Sequence, residues 1–179
     1  FLVLELTLGK INYLAPFALV LITPIVKYFF DVFGFPVRLA LTKFATRFLT
    51  WTSGFDLSTQ GNMITKNGAL FSVEPECMGL KMVITSLLSG IMMVSFFERK
   101  FKSNYTFWSL VLIVMMTLFL VVLNNLIRII LLVKYEIPAQ DPAHDFVGVA
   151  GLFGIVFIPQ YFFVRFCNQF STSAHDNGR

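Results

Sequence analysis

The stretch Tyr105–Val133 reads YTFWSLVLIVMMTLFLVVLNNLIRIILLV, and its only charge is Arg128, just after the pair Asn124-Asn125. About twenty residues rising about 1.5 Å each cross a hydrocarbon core, so this run spells one membrane-spanning helix. Counted from Tyr105, Arg128 stands about 35 Å up, at the far interface.

The rest of the chain extends the pattern. Its 179 residues are 56% hydrophobic and 13% charged, with a mean hydropathy of +0.76. That exceeds what a soluble core of this length can bury. Three further apolar runs read as spanning helices: Gly9–Phe33, kinked at Pro16 and Pro24, then Met78–Phe97 and Ala143–Phe166. The first is too long for a signal-peptide core and has no small-residue cleavage site after it. The expected fold is an all-α membrane protein: one domain over 1–179, a bundle of about four transmembrane helices, and a flexible tail over 171–179.

Between the first two spans the character changes twice. After Pro36, Val37, Leu41, Phe44, Phe48 and Trp51 recur at heptad spacing, with Arg38, Thr42, Lys43, Thr46 and Arg47 on the other face. This predicts an amphipathic helix in the interface, because a spanning reading would bury its cations in lipid. Further on, Lys66-Asn67-Gly68 between Met63-Ile64 and Leu70-Phe71 predicts a short hairpin.

The net charge of +4 is scattered over loops and helix ends, which suits anionic lipid and excludes nucleic acid as a partner. Its densest run, Glu98-Arg99-Lys100-Phe101-Lys102, marks a cytoplasmic loop. Both chain ends then face inward. The entry to the second span at Cys77, the exit of the third at Arg128 and the entry to the fourth at His144 face outward together.

Those residues carry a chemistry. A thiolate attacks a carbonyl to form a thioester, and a cation, an imidazole or a helix N-terminus beside the sulfur favours that thiolate. His144 can take the thiol proton and return it to a departing amine. Arg128, always charged, suits an oxyanion. Asn124 and Asn125, four and three residues before Arg128, can share its face and hold the guanidinium. Glu76 and Asp145 flank the nucleophile and the imidazole; each reads as a substrate contact or as an ordinary loop or helix-start residue. Lys81 either snorkels or lines the site. Cys77 and Cys167 fall on opposite membrane sides, so no disulfide joins them. Cys77 and His144 alone offer too few ligands for a metal, and no cofactor is assigned. Gly148, Gly151 and Gly154 admit either a neighbouring helix or a substrate's own helix.

At Glu76-Cys77-Met78-Gly79-Leu80, Asn125-Leu126-Ile127-Arg128-Ile129 and His144-Asp145-Phe146-Val147-Gly148 the chain resembles the exosortase and archaeosortase family of membrane transpeptidases. The likeness runs over about 74–166 and suggests a compact member. It implies Cys77 as nucleophile, Arg128 as oxyanion or substrate binder and His144 as proton-transfer partner. It also implies an exported substrate bearing a C-terminal sorting signal with a transmembrane helix and basic tail. Cleavage falls on the extracytoplasmic side of a prokaryotic cytoplasmic membrane, with transfer to an acceptor amine. The rival readings are a non-catalytic relative that holds a partner's helix among envelope-complex subunits, and a small transporter, against which the lack of a full-depth polar stripe argues.

Overall fold

The computed structural model describes residues 19–21, 23–54, 56–66, 69–72, 80–101, 105, 107–138 and 141–176. Within these, helices α1 (Pro24–Ser53), α2 (Leu80–Phe101), α3 (Phe107–Lys134), α4 (Pro142–Gly151) and α5 (Ile158–Asp176) accompany strands β1 (Leu57–Gln60), β2 (Met63–Lys66) and β3 (Ala69–Ser72). A π-helical segment, Leu152–Phe157, joins α4 to α5. Three stretches are long and apolar enough to cross a membrane: Met82–Phe101, Trp108–Lys134 and Pro142–Asn168. The first part of the expected first span, with Pro16, lies outside the described residues.

Two apolar clusters at two depths fix the bundle. Val83 and Leu87 of α2 meet Leu120 and Val121 of α3 and Val156 of the π segment. Val94 and Phe97 meet Ile113, Tyr105, Val164 and Cys167. The order of partners makes α2 antiparallel to α3, and α3 antiparallel to the last helix. A third cluster joins Leu41, Ala45 and Leu49 of α1 to Ile64 of β2 and to Ile129 and Val133 of α3. The sheet therefore sits at the Arg128 end of α3.

Several details depart from the sequence reading. Pro24 does not kink a helix; it occupies the first position of α1, where its missing N–H costs nothing, after a Thr23 N-cap. The spanning and amphipathic segments expected to part at Pro36 are one continuous helix, Pro24–Ser53. Its buried face is Leu41, Thr42, Ala45 and Leu49, whereas Phe44, Phe48 and Trp51 are exposed. Thr42 tolerates full burial because its hydroxyl donates to Arg38 O at 2.8 Å. The predicted hairpin pairs Ile64 with Phe71 and Lys66 with Ala69, and β1 adds an unforeseen third strand on β2. The tail expected to be loose from Ser171 continues as helix to Asp176; 171–176 hold neither Gly nor Pro to stop propagation.

The end of α3 explains why Lys66 is buried. Glu136 adopts a left-handed φ of 54°, and Ile137 N–H donates back to Leu132 O at 3.0 Å, a Schellman ending. The carbonyls of Val133 and Lys134 are met by Lys66 Nζ at 3.2 and 3.1 Å, which also pairs with Glu136 at 3.0 Å. A buried ammonium here opposes the negative end of the helix dipole.

The π segment sets the register of the last helix. On a straight α-helix at about 100° per residue, Gln160 would lie about 160° round from His144, facing lipid. The wider i→i+5 turns of Leu152–Phe157 wind the chain more slowly. Gln160 is buried as a result, on the same side as Gly148, Val156 and Val164.

Candidate active site

Asp141 caps α4 by accepting from Ala143 N–H at 2.8 Å, and Pro142 follows as the first helical residue. This holds His144 rigidly in the first turn, facing the end of α3. Arg128 Nη2 donates to His144 Nδ1 at 3.1 Å and reaches His144 O at 3.5 Å. A guanidinium only donates, so Nδ1 is the unprotonated ring nitrogen; in the neutral ring the proton sits on Nε2.

Two glycines permit this approach. A Cβ on Gly148 would stand 3.2 Å from Arg128 Cζ, and one on Gly151 would overlap Asn124 Oδ1. The Gly148–Gly151 face of α4 is thus a cradle for Arg128 and Asn124, the close-packing use of these glycines. Gly154 has nothing within 4 Å of such an atom.

Arg128 is 8% exposed, and among the described residues no carboxylate pairs with it. Asp145 Oδ1 stands 3.7 Å from His144 Nδ1, but its side chain is 90% exposed. Asn124 and Asn125, expected to hold the guanidinium, are buried beside it and make no hydrogen bond to it. Among the described residues Asn124 Nδ2, both polar atoms of Asn125 and Arg128 Nε have no partner. One turn of α3 therefore carries a buried cation and a set of idle amide atoms.

Cys77 and Glu76 lie outside the described residues. Cys77 precedes Leu80, the first residue of α2, by three positions in the sequence. The start of α2 is at the Arg128 end of the bundle, since Val83 packs with Val121. Among the described residues no three His, Cys, Asp or Glu side chains gather as a metal site.

Sequence reasoning passed over a second polar group. Gln160 Nε2 donates to Ser86 O at 3.0 Å and to Thr117 Oγ1 at 2.8 Å, with Gly90 leaving room for the amide. A glutamine inside an apolar run was the available signal.

The comparisons agree with this architecture. No curated protein and no solved structure gives a match. A family model described as transmembrane exosortase matches residues 6–162, a range that takes in the Cys77, Arg128 and His144 motifs, two candidate spans whole and most of the third. With most of its length matched, this membrane protein belongs to the transmembrane exosortase family.

Proposed function

We propose that the chain is a cysteine transpeptidase or peptidase that removes C-terminal sorting signals from exported proteins at the outer face of a prokaryotic cytoplasmic membrane. The observation that carries this reading is the nearly buried Arg128, bonded to His144 and without a carboxylate among the described residues. Burying an unpaired cation is costly, and an anion arriving on it offsets the penalty. The anions of thiol acyl transfer are the Cys77 thiolate and the oxyanion that follows.

In this mechanism Arg128 turns from His144 Nδ1 to the substrate's carbonyl oxygen, and the imidazole takes the Cys77 thiol proton. Sulfur bonds to the carbonyl carbon while Arg128 holds the oxyanion. Collapse breaks the carbon–nitrogen bond, the imidazolium protonates the departing amine, and a thioester stays on Cys77. An acceptor amine then attacks it, passing its proton to His144 as the thiolate leaves.

The substrate on this reading carries a short recognition motif, a transmembrane helix and a basic tail, and the basic last turn of α2, with Arg99 and Lys100, supports the outward orientation of the site. The test is Cys77→Ala, with exported precursors followed by mass. Processing should stop and a thiol probe should lose its label. Processing that continues at the wild-type rate overturns the assignment.

A further inference from the structure

Asn125 is 4% exposed, and among the described residues neither its Oδ1 nor its Nδ2 has a hydrogen-bond partner. Asn124 Nδ2 and Arg128 Nε, within one turn of the same helix, are equally idle. Native interiors pair nearly all such atoms, and each orphan forfeits its hydration without return. The surroundings make this more pointed, because Trp108–Lys134 has a hydropathy of 2.6 and leucine or valine would fit at far less cost. Among the described residues nothing pairs with Asn125.

The missing partner has a definable chemistry. A side-chain carboxamide offers one acceptor and a donor pair in a plane, the complement of the N–H and C=O that an extended peptide presents from a single residue. A charged ligand would be better served by Arg128 alone, and an apolar one would leave the amide unpaired. Asn125 sits one turn above Val121, which packs on Val83 near the start of α2; Arg128 sits one turn further, against His144.

We propose that Asn125 is a substrate-binding residue that recognises the main chain of an extended peptide, Oδ1 accepting from a backbone N–H and Nδ2 donating to a backbone C=O. This rests on the transpeptidase reading and deepens it: the subsite reads backbone and is indifferent to the side chain beside it. Because Asn125 is covered at rest, the peptide must part the packing around the end of α3 as it enters, and the paired amide repays part of that opening.

The experiment uses the full chain in its own membranes, with the exported, membrane-anchored precursors as probe and their processed fraction counted by mass spectrometry. Asn125→Leu, near-isosteric and apolar, is compared with wild type and Cys77→Ala. Thermal midpoints and the rate of Cys77 alkylation by iodoacetamide are measured on the purified proteins. The expected result is a midpoint equal to or above wild type, alkylation within about twofold, and a processed fraction lower by about tenfold or more. Unchanged processing overturns the proposal. So does a lowered midpoint accompanying the loss, which would make the amide a structural clip, or an alkylation rate that falls with it. If Cys77→Ala also leaves processing intact, the transpeptidase reading itself fails, and this inference with it.

Discussion

Two buried polar layers cross this bundle, and they treat their amides in opposite ways. In the inner layer, Gln160 Nε2 spends its hydrogens on Ser86 O of α2 and Thr117 of α3, tying three helices together; Gln160 Oε1 and Ser86 Oγ stay unpaired among the described residues. In the outer layer, Asn125 bonds to none of the described residues, and Arg128 has His144 as its hydrogen-bond partner. A polar group that fastens helices contributes to stability; one left idle at comparable burial costs stability and is kept for what arrives. On the proposed function the contrast separates scaffold from site without reference to any motif.

The comparison breaks most sharply at Arg128. Arg128→Gln removes the charge but keeps an amide donor, so the thermal midpoint should hold or rise while precursor processing drops by about 10²–10³-fold. A collapse of the fold with activity intact in the surviving molecules would move Arg128 into the scaffold. Gln160→Leu should do the reverse. Losing its two donated bonds costs about 1–3 kcal/mol of stability, read as a lowered midpoint in detergent, with processing per folded molecule unchanged.

The membrane class and the meeting of Arg128 with His144 were legible because long apolar runs and the few polar residues at their ends leave few arrangements. The inner layer was not, since placing Gln160 on the Gly148 face requires knowing that Leu152–Phe157 winds as a π-helix, and a period of 3.6 hides that. The unbroken α1 through Pro36 was equally hidden, as tertiary contacts at Leu41, Ala45 and Leu49 outweigh a local breaker. Lys66 read only as a hairpin residue because its partners lie in a remote helix end. Lys66→Met should cost about 1–2 kcal/mol by stripping two carbonyls of their donor. Hydrogen exchange should quicken at the end of α3 and in β2–β3 but not in the inner layer.

The smallest effects come from the glycines of the last helix, evenly spaced in sequence but unequal in space. Gly151→Ala must displace Asn124 Oδ1, at about 1 kcal/mol or more in a packed seam. Gly154→Ala meets nothing within 4 Å, so the added methyl should be neutral or stabilise by about 0.5 kcal/mol through the unfolded chain. Midpoints of the two variants measured side by side test this directly. Processing is the second readout: Gly154 opens toward the membrane, so a Gly154→Ala protein that melts like wild type but processes precursors slowly would assign that face to the substrate's own helix. Wild-type processing would leave the two packed glycines as the ones that serve the site, by letting Arg128 and Asn124 approach α4.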